Sequence, residues 1–596
     1  MIYDGACAFC RRWVARFRAR TGTRVLYLPR QTPLVPRLLG VSSRAARRSM
    51  QLREPGGQIH QGAEAVFRVL GRAPRLAVPA RLARLPVVRA VAEWVYRRIA
   101  NHRVLAARVD RVLFGTATTP PRSALVRSLF VRALGVTWLA AFSSLSVQVL
   151  GLYGRRGVVP MEELFEGASA LPGRRRLRLL PSVFWLDASD EALVRACRLG
   201  QLLSLALVIG VAPRLVLAAL WALYLSFVTA GSDFLSFQWD ALLLETSLYA
   251  MVIAPSGVLP TLRREEPPWQ AVLLMRWLAF RFFYEAGIAK LRSGDETWRA
   301  RTACVYHYET QPLPTPLGWQ AHHLPRAVQR LSTSVALGTE VFVPFLAFAP
   351  RRLRRLGFGG LAFLQGAIAA TGNYGFFNLS ALTLSLWLLD DEPLLRWSRA
   401  VPREAPEPTR GVRRWAIAAG ALVLFAASAT MHLVRFGRRR PPRAMLRLAT
   451  PLAQMHSVNA YGLFASMTVQ RPEIVIEGSD DGATWLEYSF RYKPGDPNAR
   501  PRWVAPHMPR LDWQMWFAAL GGPPTWFFRL LQRLLEGSPE VLDLLERTPF
   551  PDHPPRYARA VLYDYKMTDR ETRRTTNAYW TRQRLGLYVP PVTLPQ

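Results

Sequence analysis

The hydrophobic residues of this chain are concentrated in one long central region. Between about Leu125 and Val434 the sequence contains repeated apolar stretches, and crossing a bilayer takes roughly 20 mostly apolar residues per helix. We predict a polytopic α-helical membrane block over residues 120–435. It has about nine spans, placed near residues 127–150, 196–212, 214–231, 240–259, 270–290, 331–349, 356–372, 374–390 and 413–433.

The residues before this block have the pattern of a small soluble α/β domain, residues 1–115, followed by a linker at residues 116–121. The predicted elements are a strand, a helix with aromatic residues at i, i+4 and i+8, a second strand, a second helix and further arginine-rich helix. They lie at Ile2 and Tyr3, at Phe9, Trp13 and Phe17, at residues 24–28, at residues 62–70, and onward to about Phe114. We expect the first strand to be shortened, with no cleavable signal peptide before it.

The residues after the membrane block, 441–596, return to a soluble α+β pattern. Residues 473–477 and 485–490 alternate in polarity and are joined through Asp480, Asp481 and Gly482, which predicts a β-hairpin. An aromatic helix near residues 513–520, two leucine-rich helices at 525–546 and a late strand near 560–565 follow.

The charge of the chain fits a membrane protein better than a nucleic-acid binder. The formal net charge is +37, almost all of it from arginines, many of them in short loops between the apolar stretches. Such loops follow the positive-inside rule and bind anionic headgroups, so the predicted partner is the lipid bilayer and no nucleic acid. The loop arginines place the N-terminal domain in the cytoplasm and the C-terminal domain outside, although residues 174–178 and 438–440 run against this assignment.

A pair of cysteines near the N-terminus carries the clearest chemical signal. Cys7 and Cys10 form a CxxC motif between a strand and a helix, directly after Tyr3, Asp4 and Gly5. A thiol at a helix N-terminus is stabilised as thiolate by the free backbone N–H groups. The second thiol lies one turn later, where it can resolve a mixed disulfide.

Arg11 and Arg12 add positive potential beside these cysteines and favour thiol–disulfide exchange. One alternative is half of a zinc site, but His60 and His102 are isolated and no second CxxC occurs. Another is a pair of packed cysteines without chemistry. We predict redox chemistry, no metal and no bound cofactor.

The opening around Cys7 and Cys10, together with the helix at residues 62–70, resembles the DCC family of thiol–disulfide oxidoreductases. The resemblance covers about residues 1–115. It implies a thioredoxin-like fold of the protein-disulfide reductase type, with Cys7 as the attacking thiol, Cys10 as the resolving thiol, and a thiol redox partner.

A second group of candidate site residues lies in and after the fifth predicted span. Arg281 and Glu285 are one helical turn apart, and Lys290 ends the same span. Further ionisable residues lie in other or neighbouring turns, namely Arg276, Glu245 and Glu340. Because an ionisable group in hydrocarbon is costly, such residues pair with one another or line a wet cavity. Both a structural ion-pair network and a substrate or client site remain open. His307 and Glu309 follow in the loop, where the spacing matches no standard metal site.

Four stretches of the membrane block and tail resemble the lipase maturation factor family, over about residues 120–596. They lie at residues 284–295, 306–317, 473–479 and 510–517. In animals the family resides in the endoplasmic-reticulum membrane and is needed for secreted lipases to fold. The resemblance therefore implies a client protein, a secreted lipase by analogy, and we expect the bacterial inner membrane for this chain.

Together these observations predict a multi-domain membrane protein. It is a folding or maturation factor with a fused CxxC oxidoreductase domain, whose membrane and C-terminal parts are not enzymatic. The alternatives are a membrane enzyme similar to the vitamin K-dependent carboxylase type, acting on a lipid or quinone near Arg281 and Glu285, and a transporter.

Overall fold

The computed structural model describes residues 1–594 except 34–39, 74–75, 84, 256, 259–265 and 396–411. The chain divides into two compact units. The first comprises Met1–Arg122, Ala349–Leu356 and Asp390–Glu392, and the second comprises Ser123–Phe348, Gly357–Leu389 and Pro393–Gln596.

The first unit contains a four-stranded sheet in the order β2-β1-β3-β4. The strands are β1 (Ile2–Tyr3), β2 (Leu28–Pro29), β3 (Gln51–Arg53) and β4 (Ile59–Gln61). β1 pairs in parallel with β2 and antiparallel with β3, and the helix Ala8–Thr21 makes the crossover that a parallel pair requires. The predicted strand at residues 24–28 is wrong in extent, because residues 22–24 form a 3₁₀ turn. β3 and β4 were not predicted.

The helices of the first unit complete its core. They are Ala8–Thr21, Ser43–Arg48, Gly62–Gly71, Ala77–Leu82, Pro86–Asn101 and Arg103–Phe114. The first helix buries Cys10, Val14 and Phe17, a spacing that puts all three on one face. The helix predicted from Phe9, Trp13 and Phe17 is confirmed, with Phe9 and Trp13 packed at the edge of that face.

The second unit holds five helices that are long and apolar enough to cross a membrane, among the residues that the structure describes. They are Ala124–Ser146, Asp190–Ile209, Pro213–Ala230, Arg326–Phe348 and Trp415–Phe436. The prediction of nine spans is therefore wrong. The other four apolar stretches also fold as helices, Gln238–Ile253, Trp269–Arg292, Arg351–Thr371 and Phe377–Ser385, but each is too short or too polar to qualify.

The sequence predicted too many spans because a helix buried in a protein core and a helix buried in lipid are built from the same apolar residues. Gln238–Ile253 has 16 residues and buries 11 of them within the protein. An apolar segment of this length is more often a core helix than a span, and hydropathy alone does not separate the two.

The remaining helices of the membrane part are short or connect the spans. They are Val149–Tyr153, Met161–Ala168, Gly173–Leu179, Glu296–Arg299, Ala303–Thr310, Pro316–His322, Asp391–Leu395 and Arg443–Gln454, and the last predicted span is part of Val412–Phe436.

The C-terminal part is built on a four-stranded antiparallel sheet in the order β10-β9-β5-β6. Its strands, with the separate pair β7 and β8, are β5 (Pro472–Ser479), β6 (Leu486–Glu487), β7 (Ser489–Phe490), β8 (Leu545–Arg547), β9 (Tyr557–Met567) and β10 (Trp580–Val592). The predicted hairpin is confirmed as β5 and β6, and the late strand as β9. Its helices are Arg510–Ala519, Thr525–Leu535, Pro539–Leu542 and Arg570–Thr576.

The C-terminal sheet and the membrane helices share one hydrophobic core within the second unit. Buried polar contacts also join them. The Arg510 guanidinium pairs with Asp240 at 2.8 Å and donates to the Tyr224 hydroxyl at 3.0 Å. Because all three side chains are buried, the C-terminal domain is packed on the membrane helices as part of one body.

Candidate functional site

The CxxC motif lies where the sequence predicts it, at the start of the helix Ala8–Thr21. Cys7 is the N-cap residue, and its Sγ accepts a hydrogen bond from the Cys10 backbone N–H at 3.3 Å. Cys7 is half-buried, Cys10 is only 7% exposed, and both are free thiols. The geometry therefore leaves Cys7 as the more accessible thiol, with Cys10 one turn behind it.

The two thiols differ in burial, and the deeper position of Cys10 favours its protonated form. Burial, and after it the neighbouring Cys7, raise the pKa of Cys10 to about 12, while the Arg103 charge acts in the opposite direction. Cys10 is thus held protonated until it is needed. Arg12 does not contribute the predicted potential, because its guanidinium pairs with Asp110 at 3.0 Å.

The residues Tyr3, Asp4 and Gly5 position the loop before Cys7. The Asp4 carboxylate accepts from the Gln31 side chain at 2.6 Å and from Arg103 at 3.0 Å. A Cβ at Gly5 would lie 2.9 Å from the Pro29 Cβ, which excludes larger residues there. Tyr3 packs against the core of the first unit. These three residues therefore shape the loop that precedes Cys7.

Among the described residues, no three His, Cys, Asp or Glu side chains are grouped as metal ligands. His60 lies beside Glu64 at 3.2 Å and Glu54 at 3.6 Å instead. Cys197 is buried and Cys304 half-buried, and both are free thiols.

Arg281 and Glu285 belong to a fully buried group that also contains Glu245, here called the Arg281 cluster. Arg281 forms an ion pair with Glu245 and lies 3.6 Å from Glu285. All three side chains have zero exposure. Glu245, one of the ionisable residues that the sequence places in the apolar stretches, precedes Arg281 by 36 residues, and the fold brings the two together.

A segment of the chain after the last span closes the Arg281 cluster. The Asn459 carbonyl accepts from Arg281 at 2.7 Å, and the Asn459 N–H donates to Glu245 at 2.9 Å. The Tyr461 hydroxyl donates to Glu245 at 2.7 Å and its N–H to Glu285 at 2.8 Å. Each carboxylate thus has several donors, which is what a buried ion pair needs to be tolerated.

The other three candidate residues lie apart from this cluster. Lys290 pairs with Glu340 at 2.8 Å and donates to the Leu463 carbonyl at 3.1 Å. Its ammonium also lies 5.2 Å above the ring of Trp298. The Trp298 indole in turn donates to the Phe464 carbonyl at 3.0 Å. Lys290 therefore connects its helix to the segment at residues 459–464, which also closes the Arg281 cluster.

His307 and Glu309 sit on the helix Ala303–Thr310 and face different partners. The His307 Nε2 lies 3.0 Å from the Tyr374 hydroxyl, and burial lowers the pKa of His307 to about 4, with Lys290 as a second cause. The Glu309 carboxylate accepts from the Met567 N–H at 2.9 Å, and burial raises its pKa.

A cavity of about 350 Å³ brings two of the candidates together. Lys290 and His307 line it, with Cys304, Trp298 and Glu340. Arg281, Glu285 and Glu309 are not part of its lining. The five predicted residues are therefore divided among a closed cluster, a cavity wall and a contact with β9.

Two buried arginines of the second unit were not predicted as site residues. Arg471 donates to the carbonyls of Glu309, Gln311 and Pro312 and pairs with Glu473 at 2.8 Å. Arg510 is the residue that contacts Asp240. Local sequence patterns do not predict these contacts, because the partners of the two arginines are backbone carbonyls and carboxylates elsewhere in the chain.

Three known protein families match three successive parts of the chain. Residues 125–396 match the family described as lipase maturation factor transmembrane domain, and residues 457–590 match the lipase maturation factor C-terminal domain. Residues 1–109 match the DCC1-like thiol-disulfide oxidoreductase family.

Full-length relatives extend the match. Lipase maturation factor 2 of Gallus gallus is 33% identical, over 80% of this chain and 82% of its own length. Lipase maturation factor 1 of Homo sapiens is 33% identical, over 79% of this chain and 88% of its own length. No solved structure matches. The chain belongs to the lipase maturation factor family and carries a DCC1-like thiol-disulfide oxidoreductase domain at its N-terminus.

Proposed function

We propose that this chain is a membrane-bound factor that promotes the folding or maturation of a secreted client protein, a lipase by analogy with its relatives. The observation that carries the proposal is the 33% identity to proteins named lipase maturation factors, over most of both chains. The packing of the C-terminal domain onto the membrane helices supports one working unit rather than a pore with an attached tail.

The closed geometry of the Arg281 cluster supports a structural role for Arg281 and Glu285. The side chains of Arg281, Glu245 and Glu285 have no exposed surface, and none of the three lines the cavity of about 350 Å³. A reaction centre needs room for substrate. Under this proposal the cluster anchors the segment at Asn459 and Tyr461, and with it the C-terminal domain, so the unit acts by binding its client.

The C-terminal domain offers a surface that suits such binding. A cavity of about 480 Å³ is lined by charged and aromatic side chains, among them Arg491, Arg500, Arg502 and Glu546. Polar grooves of this kind hold extended polypeptide through hydrogen bonds and ion pairs. We propose this cavity as the client-binding side of the protein.

We also propose that the N-terminal domain is an active thiol–disulfide oxidoreductase with a thioredoxin-like fold. The Cys7 thiolate attacks a partner disulfide, forms a mixed disulfide and releases one partner thiolate. Cys10 loses its proton and attacks the Cys7 sulfur, which forms the Cys7–Cys10 disulfide and releases the second thiol. Two electrons pass to the partner, and a cellular dithiol must reduce the pair again.

The loop arginines support a cytoplasmic place for this redox domain, in the bacterial inner membrane. Arg351 and Arg355 belong to the same compact unit as the N-terminal domain, where Asp390 binds both at 3.0 Å and 2.6 Å. A cytoplasmic cysteine pair does not reach a client outside. We therefore propose that redox exchange and client maturation are separate activities of one chain.

Deleting the gene in a host that secretes a lipase tests the maturation function. We expect the specific activity of the secreted lipase, per amount of lipase protein, to fall and to return when the full chain is restored. Unchanged specific activity would contradict the proposal. Turnover of a lipid or quinone by the purified protein, lost in Glu285→Gln, would instead favour a membrane enzyme.

A further inference from the structure

The cavity beside Lys290 lies within the second unit, and two helices contribute the residues at its outer side. The helix Arg326–Phe342 contributes side chains at i, i+3, i+4, i+7 and i+8, which share one helical face. The helix Arg351–Thr371 contributes a similar stripe. The two sets are Val328, Leu331, Ser332, Val335 and Ala336, and Phe363, Leu364, Ala367, Ile368 and Thr371.

The mouth of this cavity is apolar and open to the surroundings of the protein. Leu331 is 62% exposed and Phe363 is 68% exposed. Leu331 belongs to Arg326–Phe348, a candidate membrane span with only 22% of its apolar window buried in the protein. An exposed apolar face on a membrane helix contacts lipid chains, so the cavity opens toward the hydrocarbon of the bilayer.

The inner wall leaves no charge free for an ionic ligand. Among the described residues that line the cavity, the Lys, Arg, Asp and Glu side chains are Lys290 and Glu340, and they pair with each other. Lys290 also donates to the carbonyls of Ala286 and Leu463. His307 is neutral near pH 7, because burial lowers its pKa. The part of a ligand that enters is therefore uncharged.

The size of the cavity suits a slender ligand. Its volume is about 350 Å³, within the range of small-molecule pockets. An uncharged site of this size, open to the hydrocarbon of the bilayer, accommodates a single hydrocarbon chain.

We propose that this cavity binds one hydrocarbon chain of a membrane lipid, which enters at the side of these two helices while its headgroup stays outside. The lipid is a structural or regulatory ligand of the second unit, in which the segment at Leu463 and Phe464 of the C-terminal domain forms part of the cavity wall. This site goes beyond the proposed maturation function and does not depend on it.

Photo-crosslinking of the full chain tests the proposal. The protein is placed in vesicles of phosphatidylcholine that carries a diazirine at the end of one acyl chain, irradiated, and digested for peptide mapping. We expect adducts on the cavity-lining residues. Ala367→Trp should reduce those adducts at least about fivefold, because the larger side chain takes the space that the chain needs.

Ala369→Trp is the matched control, since two residues along a helix turn the side chain by about 200° to the opposite face. It should leave the cavity adducts unchanged. Ala336→Trp repeats the test from the other helix, with Ser334→Trp as its control. A thermal unfolding measurement shows which variants are folded. The comparison of labelling then uses each pair in which both the test variant and its control are folded.

Equal labelling in Ala367→Trp and Ala369→Trp, and in Ala336→Trp and Ser334→Trp, would overturn the proposal, because it would show contact with bulk lipid only. Displacement of the cavity adducts by a leucine-rich transmembrane peptide at the same concentration as the probe lipid would also overturn it. The cavity would then hold a protein helix.

Discussion

The cysteine pair of the first unit and the Arg281 cluster of the second are both made of ionisable side chains, but their surroundings are opposite. Cys7 lies at a helix end, half-exposed, and a cavity of about 40 Å³ adjoins Cys10. Arg281 and its two carboxylates have no exposed surface. The sequence predicted both groups as candidate sites from their residue types. Solvent exposure distinguishes them, because a partner can reach Cys7 but cannot reach the side chains of the Arg281 cluster.

The largest expected effect falls on the open site. Cys7→Ser should abolish insulin disulfide reduction by the full chain, because no other thiol at the helix N-terminus can attack. Cys197→Ser, which removes a buried thiol elsewhere, should leave the rate unchanged. Reduction that continues at the original rate in Cys7→Ser would contradict the assignment of the nucleophile.

Cys10→Ser should separate attack from resolution. The mixed disulfide between Cys7 and the substrate should form and persist, since the resolving thiol is absent. Non-reducing gel electrophoresis after acid quenching detects this species. If Cys10→Ser releases the substrate as quickly as the unaltered protein, Cys10 does not resolve the intermediate.

The closed cluster should respond through stability instead. Arg281→Met leaves Glu245 and Glu285 buried without their cation, and breaking a buried pair in this way costs about 3–5 kcal/mol. Thermal unfolding in detergent measures the loss. Arg195→Met is the control, because Arg195 and Asp187 form an exposed pair and such pairs contribute at most about 1 kcal/mol.

The triple variant Arg281→Met, Glu245→Gln, Glu285→Gln sharpens this test. It removes the charges together and should recover part of the stability lost in Arg281→Met. A single variant as stable as the unaltered protein would show that the cluster does not hold the fold.

The smallest expected effect is a pH dependence at the cavity wall. Burial lowers the pKa of His307 to about 4, so the unfolded chain takes up a proton as the pH falls through about 6.5 while the folded chain does not. The stability that His307 contributes is thus present above pH 6.5 and lost toward pH 4. Between pH 7 and 5.5 the loss is about 1 kcal/mol.

His307→Gln should remove that share of the pH dependence, because glutamine does not titrate and keeps a polar group near Tyr374. Unfolding temperatures at pH 7 and pH 5.5 measure it. His553→Gln serves as the control, since the His553 side chain is 63% exposed. An unchanged pH dependence in His307→Gln would show that His307 does not stay neutral in the fold.

Local sequence patterns predicted the local features of this protein well. The strand, the CxxC motif and the helix at Cys7 follow one another within 21 residues, so residues close in the sequence determine the N-cap geometry. The hairpin of β5 and β6 was predictable for the same reason. Features that depend on distant partners were not: β3 and β4 are three-residue strands held by pairing with β1 and with each other.

The same limit applies to the candidate site in the membrane part. The sequence predicted Arg281, Glu285 and Glu245 as ionisable residues of the apolar stretches. Their contacts with Asn459 and Tyr461 were not predictable, because those residues come from a distant part of the chain. Nine apolar stretches reduce to five candidate spans among the described residues, because the other four helices are too short or too polar.

The most direct measurement is the specific activity of a secreted lipase in the deletion host, restored with three forms of this chain. The account predicts full restoration by the unaltered protein and by the Cys7→Ser, Cys10→Ser double variant, because maturation belongs to the second unit. It predicts loss with Arg281→Met at the growth temperature. Loss with the cysteine double variant, or full activity with a demonstrably unfolded Arg281→Met protein, would contradict the division of the chain into two activities.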